Sequence, residues 1–534
     1  MAASKIPLAG VIYCLNVADI ESGVLKETHL GTTIMNGKTS SLPVLRARRI
    51  PITINANAAR VIVRPYIPHT PERIGNIIGR VLKMGKNKVK SMTEVIVEDF
   101  SHRHRYFEEI LEQNFDLISH FIPEDVDLSL HRKQLIGAYF SAEYSVEAAA
   151  LFNPSIVQVA SLTTDAEGSC RFIMSFRGVG EGHISSIEFR TGIIDSHKDI
   201  YFDAVSNYVR TPRTRANALY NRELFRLKLE DLGVRKNATQ WLFGDLPSQF
   251  TVADLEHKFD EHYSGKRIRE QDKLEAIDKA RWLARSNYEI TFRAEHRISE
   301  RVIFPISETE SGGIEDARFV RFTDDDGSII YFATYTAFNG DTILPQLIET
   351  NDFITFKIST LFGKQAEGKG MALFPRKING QYVMLSRQDG ESNYIMFSDN
   401  VHYWESAQKL RNPESPYEFF QMGNGGSPIE TPEGWLLITH GVGPMRTYCL
   451  GVELLDLDDP TKIICRLEEP ILEPNAMDRE GYVPNVVYSC GSIIFRDELI
   501  IPYAAADQRC GIAVLQVKDL MAKLLNNKVR NRTE

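Results

Sequence analysis

The sequence predicts a mainly β protein: a five-bladed β-propeller with a mixed, largely helical N-terminal extension and a helical insertion. Two observations carry this. Paired apolar strands recur after Asn153, and the last four pairs start near Arg318, Leu373, Pro428 and Asn485, at intervals of 55, 55 and 57 residues. A near-constant period with a hairpin in each unit suits one propeller blade per repeat, whereas a sandwich imposes no such spacing. The hydrophobic period also changes from helical to strand-like near Leu151.

In chain order, residues 1 to about 68 read as short strands and turns, and "VLRARRIPITINANAARVIVRPYIP" alternates apolar and polar side chains between prolines. From Thr70 to about Leu151 the spacing is helical. "TPERIGNIIGRVLKMG" offers a threonine cap with proline at the first helical position, and "MTEVIVEDFSHRHRYFEEILEQNFDLISHFI" repeats apolar residues every three or four positions. Its "HRHR", His102 to Arg105, is read as a solvated helix face rather than a metal or phosphate site, since four consecutive residues point in different directions round a helix. The five hairpins are "NPSIVQVASLTTDAEGSCRFIMSFRG", "RFVRFTDDDGSIIYFATYTA", "ALFPRKINGQYVMLSR", "SPIETPEGWLLITHGV" and "NVVYSCGSIIFRDELIIPYAAAD". A charged helical insertion over about 205–285 lengthens the first interval. The expected division is an extension over 1–150, a propeller over 151–520 and a tail over 521–534.

Composition narrows the function. Of 534 residues 43% are hydrophobic and 25% charged, with a formal net charge of −9. No basic block suits nucleic acid, and no apolar run is long enough to span a bilayer. The first residues lack signal-peptide features, and the six cysteines (Cys14, Cys170, Cys449, Cys465, Cys490, Cys510) form no CxxC pair, so free thiols in a cytoplasmic protein are expected. No ligand spacing suits a metal, and no P-loop, GxGxxG or Ser-His-Asp order is present.

Chemistry is suggested by "SGGIEDARF", residues 311 to 319. On a regular strand Ile314, Asp316 and Arg318 share one face and Glu315 takes the other, so an acid and a guanidinium project together beyond a flexible glycine pair. Read alone, this is a surface ion pair. Hairpin ends, however, lie at one end of their ladder, and in a propeller such ends gather at one mouth of the central channel. They supply Arg177; Asp316, Arg318 and Tyr335; Lys369 and Arg387; Glu430 and His440; and Asn485, Tyr503 and Asp507. Polar residues at equivalent places in successive repeats imply a concave polar site.

"GGIEDARF", "KGMALFPRKINGQYVMLSR", "SPIETPEGWLLITHGV", "LGVELLDLDDPTKII", "EGYVPNVVYSCG" and "IPYAAAD" together resemble glycoside hydrolase family 130, from about Asn153 to Leu520. The resemblance implies a five-bladed propeller and an inverting β-mannoside phosphorylase or β-mannosidase. It makes Asp316 the catalytic acid, protonating the glycosidic oxygen through a hydroxyl of the bound mannose. Phosphate is expected at Arg318, Lys369, Arg387 and His440. The sugar is expected at Arg177, Tyr335, Glu430, Asn485, Tyr503 and Asp507. No cofactor is implied, only inorganic phosphate as co-substrate. The partners are a β-mannoside oligosaccharide and phosphate, without nucleic acid or membrane, and a homo-oligomer is compatible with the reading. A carboxyl beside Arg318 is expected to have a lowered pKa, which suits a relay better than direct donation. Glu430 stands where phosphorylases usually carry lysine. Lys369 and Arg387 thus favour phosphorolysis, while Glu430 leaves open a hydrolase that activates water. Arabinan- or xylan-type hydrolases lack support, because their three separate carboxylates are missing. A non-catalytic carbohydrate-binding propeller is the alternative of another class.

Overall fold

The computed structural model describes residues 44–123, 126–160, 167–215, 219–264 and 271–530. The reading of residues 1–43, including Cys14, and the last four residues of the expected tail lie outside them. The described chain is mainly β. Residues Leu45 onward form one compact unit.

Among the described residues, five antiparallel sheets have four or more strands, and each contains one predicted hairpin. Ala150–Val159 and Cys170–Val179 pair in the first, and Gly313–Thr323 and Ile329–Phe338 in the second. The third pairs Ala372–Leu373 with Tyr382–Ser386, and the fourth pairs both Gln421–Asn424 and Ile429–Thr431 with Gly434–Val442. In the fifth, Val487–Tyr488 and Ile493–Phe495 both pair with Glu498–Ala505. The strand middles are apolar on both faces because neighbouring sheets cover them. Trp435, for instance, is fully buried.

The edge strands Ala150–Val159, Gly313–Thr323, Gln421–Asn424 and Val487–Tyr488 are tied to one another by bonds between sheets. Phe319 N donates to Ser155 Oγ at 3.1 Å, Cys490 N to the Pro154 carbonyl at 2.9 Å, and Arg318 Nη1 to the Asn424 carbonyl at 2.9 Å. These bonds bring the ends of these strands together.

The boundary expected at residue 150 is not a structural boundary. Arg48–Ile54 forms the outer strand of the fifth sheet, pairing antiparallel with Arg509–Gln516, so the two ends of the described chain share one sheet. Periodicity within a segment carries no information about this pairing across more than 450 residues. The helical part is narrower. Pro71–Leu82, Lys86–Ser101, Phe107–Ile118 and Leu130–Tyr139 pack around Ile74, Ile78, Phe115 and Leu135, between strands Val61–Pro65 and Ser141–Ser145, which pair with each other. Thr70 takes the N-cap position with Pro71 after it, although its side chain makes no cap hydrogen bond. Arg60, fully buried, bonds Glu147 and Glu188 at 2.7 Å each, and so holds this part to the first sheet.

The "HRHR" cluster is not a solvated helix face. His104 is buried, and both it and Arg103 bond the Glu143 carboxylate at 2.7 Å, while Arg105 pairs with Glu300. The helix ends at Ser101, so these residues do not continue its stripe: His104 turns inward, while His102 and Arg105 stay exposed. The insertion contains Arg222–Asp231, Lys236–Phe243, Val252–Ser264 and Gln271–Arg285, around a core that includes Phe225, Phe243 and Phe250. Beyond Gln516 the chain runs into the helix Val517–Arg530. None of the five cysteines among the described residues is in a disulfide. Among the described residues no helix is long and apolar enough to cross a membrane.

Candidate active site

Ends from all five sheets border one cavity of about 260 Å3. Its centre is "EDAR". The strand does not alternate regularly here: the register slips between Glu315 and Arg318, and Asp316 takes a left-handed φ of 56°. This bulge sets one extra residue against the partner strand, so Glu315, Asp316 and Arg318 all border the cavity. The expectation that Glu315 faces away is therefore corrected. The preceding glycines are not a flexible hinge either. Gly313 has φ 122°, and a Cβ there would collide with the Ser185 backbone nitrogen and hydroxyl.

A second bulge faces the first. The first sheet slips between Phe152 and Ser155, with Asn153 at φ 48°, and Asn153 Nδ2 donates to Asp316 Oδ1 at 2.6 Å. Backbone held in sparsely populated conformations at a polar cavity marks a place where geometry was kept at the expense of about 1–3 kcal/mol per residue.

The guanidinium beside Asp316 belongs to Arg177, with Nη1 3.6 Å from Oδ1, and not to Arg318 as the strand pattern implied. Arg318 is fully buried and directs Nη1 to Asn424 and Nη2 to the Tyr488 hydroxyl at 2.6 Å. It serves the cavity by fixing these two walls. Glu315 accepts from Arg177 at 2.9 Å and from Lys369 at 2.6 Å, so its charge is committed. Lys369 lies between Gly368 and Gly370, both at positive φ, where a side chain would be strained.

Arg387 borders the cavity with its Nε buried and unpartnered, and no carboxylate among the described residues pairs with it. His440 is buried, and its Nδ1 lies 3.0 Å from the Asn424 carbonyl. A carbonyl only accepts, so Nδ1 carries the hydrogen and Nε2 keeps its lone pair. Burial, then the charges of Arg387 and Arg318, hold the imidazole well below its usual pKa, and it is neutral. Asp507, at φ 48°, has its pKa raised to about 7, first by burial and then by the Asp316 carboxylate, against Arg177 and Arg446. Five cations (Arg177, Arg318, Lys369, Arg387, Arg446) thus face two committed carboxylates and one carboxyl that keeps its proton near neutrality. The cavity is electropositive in a chain with a net charge of −9.

Four expected site residues lie elsewhere. Glu430 pairs opposite Trp435, near the hairpin's turn, whereas His440 pairs opposite Gly423. The strand that reaches the cavity is Gln421–Asn424, so taking Pro428 as the hairpin's start put Glu430 at the wrong end of the ladder. Glu430 instead forms a two-pronged pair with Arg376, at 2.8 Å on both oxygens, beside a separate groove. Tyr335 is buried, donates to Glu310 at 2.5 Å, and borders only a crevice of about 10 Å3 behind Asp316. Tyr503 turns to the outer strand, where its hydroxyl accepts from Arg49 at 3.1 Å. Asn485 does not border the cavity. Its carbonyl accepts from Tyr448 N, and Val486 reaches the cavity instead.

Asn153, Asn424, Arg446 and Tyr488 were not singled out in the sequence. Asn153 sits in its hairpin where Asp316 sits in the next, which is a legible signal. Arg446 follows Gly-Pro in a tight turn with Met445 and Arg446 both at positive φ, and nothing in the sequence distinguishes it from a surface arginine. The structure gives a first expected result: Glu430→Lys should shift stability by about 1 kcal/mol or less, as for exposed pairs, and leave the phosphate dependence of turnover unchanged, measured by thermal melting and initial rates.

The chain belongs to glycoside hydrolase family 130 and is a glycoside-processing enzyme of it. The family's model, described as β-1,4-mannooligosaccharide phosphorylase, matches residues 282–526. A 1,2-β-oligomannan phosphorylase of Thermoanaerobacter sp. (strain X514) is 38% identical over 230 residues, 42% of this chain and 75% of that protein. A β-1,2-mannobiose phosphorylase of the same organism is 35% identical over 222 residues, 39% of this chain and 68% of that protein. The solved β-1,2-mannobiose phosphorylase of Listeria innocua superposes with a TM-score of 0.41 at 22% identity, covering 71% of this chain and 93% of that one.

Proposed function

We propose that the protein is an inverting β-mannoside phosphorylase that cleaves a β-mannoside with inorganic phosphate to give α-mannose 1-phosphate, reversibly. The five sheets are then the blades of a propeller, and the cavity is the mouth of its channel. The observation that carries the reading is the unpaired Arg387 in a cavity with surplus positive charge, from which Glu430 is absent. A phosphate dianion supplies the missing negative charge, and guanidinium forks bind its oxygens well. The names of the two similar phosphorylases support the same reaction class. A hydrolase needs a carboxylate free to activate water. Glu430 is held by Arg376 outside the cavity and Glu315 by Arg177 and Lys369 within it, so neither serves.

In this mechanism phosphate lies against Arg387, Lys369 and Arg446. His440 Nε2 accepts a hydrogen from its P–OH or from a sugar hydroxyl. The phosphate oxygen attacks the anomeric carbon from the face opposite the leaving oxygen, and one bond forms as the other breaks with inversion. Asp316, a carboxylate oriented by Asn153 and Arg177, takes up in the complex the hydrogen that phosphate gives up and passes it to a mannose hydroxyl whose own hydrogen goes to the leaving oxygen. Asp507 keeps its proton and donates a hydrogen bond to the sugar.

The test is to incubate the protein with mannose 1-phosphate and a panel of acceptor sugars and to assay phosphate release. Release of mannose from β-mannosides at one rate with or without phosphate would refute the reading. Arg387→Ala should raise the KM for phosphate by roughly 10- to 100-fold, the worth of a charge-assisted bond, with a much smaller change in the KM for sugar.

A further inference from the structure

We propose a second anion site, for a phosphate group free or on a sugar, in the cavity between the helix Phe107–Ile118 and the β body. This cavity, of about 320 Å3, is larger than the catalytic one and is separate from it. Arg210, Arg213 and Arg293 border it, with Glu109 and His104. Glu109 is spent on Arg293 at 2.8 Å, and His104, bonded to Glu143, has its pKa lowered by burial. Arg213 has no partner among the described residues. Arg210 has only the Arg105 carbonyl at 2.6 Å for Nη1, and its Nε is buried without a partner.

Both carboxylates nearby, Glu109 and, at 4.0 Å, Glu295, pair with Arg293, so Arg210 and Arg213 are left without a counter-charge in a partly dry space. A cation partly withdrawn from water without a counter-charge is unfavourable, and guanidinium groups converging on a cavity match the several oxygens of a phosphate. The Tyr106 ring stands between two of them, 4.1 Å from the Arg293 guanidinium and 5.5 Å from that of Arg210, and holds them in place without neutralising them. Their mutual repulsion is visible at Arg210, whose pKa is lowered by burial and then by Arg293. A phosphate here would bridge the body, through Arg210, Arg213 and Arg293, to the helical part, through Gln113 and the Tyr106 turn. The inference does not depend on the reaction proposed above, because none of these residues borders the catalytic cavity.

Equilibrium dialysis with labelled inorganic phosphate and with mannose 1-phosphate tests it, using the full chain in the Arg387→Ala background to weaken the catalytic cavity. One site per chain should remain, for one probe or both, and the tighter probe identifies the source of the phosphate. In that background Arg213→Gln should weaken the remaining site by about tenfold, and Arg213→Glu should abolish it. Arg213 is exposed, so these variants keep the fold where a change at half-buried Arg210 could lose it. No binding of either probe to Arg387→Ala, or binding indifferent to Arg213→Glu, would overturn the proposal.

Discussion

Asp316→Asn should lower turnover by about 10²- to 10⁴-fold, the range that general acid catalysis supplies. The substitution is chosen for its backbone. Asp316 has φ 56°, a region that asparagine tolerates and a branched or apolar residue does not, so the bulge survives. The asparagine oxygen can still accept from Asn153, and only the exchangeable proton and the charge facing Arg177 are lost. Melting temperature should therefore change by no more than a few degrees while initial rates of phosphorolysis collapse. Asp316→Ala is the weaker experiment, because it adds backbone strain of about 1 kcal/mol or more to the chemical loss. Near-normal turnover of the asparagine variant on a substrate of the wild type would remove Asp316 from the role of acid.

The bulge also explains what the sequence could and could not reveal. The hairpins were legible because their strands are continuous apolar runs with turn residues between them, and the repeat length followed by counting. Strand alternation then assigned faces to Glu315, Asp316 and Arg318, and that assignment failed because a one-residue slip resets every side chain beyond it. Arg177 became the neighbour of Asp316 through pairing between sheets, which no local pattern records. Glu430 was misplaced for a related reason. The fourth sheet uses two short strands, Gln421–Asn424 and Ile429–Thr431, against one long one, and the apolar pattern shows only the second clearly. Lys369, Arg387 and His440 border the cavity as the repeat suggested, because each lies in or near the end of a strand that the hairpin pattern shows. The outer strand Arg48–Ile54 looked like part of an extension, since its partner is at the other end of the chain.

Asp507→Asn should stabilise the protein at neutral pH and not in acid. In the folded chain the Asp507 pKa is raised to about 7, against an ordinary value of 3.8, by burial and by the Asp316 carboxylate. Below about pH 4 both states of the chain carry the proton and the group contributes nothing to the pH dependence. As pH rises from about 4 to about 7 the unfolded chain releases the proton and the native chain retains it. Stability is then lost at up to about 1.4 kcal/mol per pH unit. Above about pH 7 both states are ionised and the penalty, about 2 to 4 kcal/mol in all, is constant. Asparagine cannot ionise and tolerates the left-handed backbone at this position, where φ is 48°. The difference in melting temperature, variant minus wild type, should therefore grow between pH 4 and pH 7 and level off above it. For a chain of 534 residues the plateau should be a few degrees. Parallel pH profiles for the two proteins would show that the Asp507 carboxyl is not held protonated. Asp316 would then face a second carboxylate, not a hydrogen-bond donor, in the empty cavity.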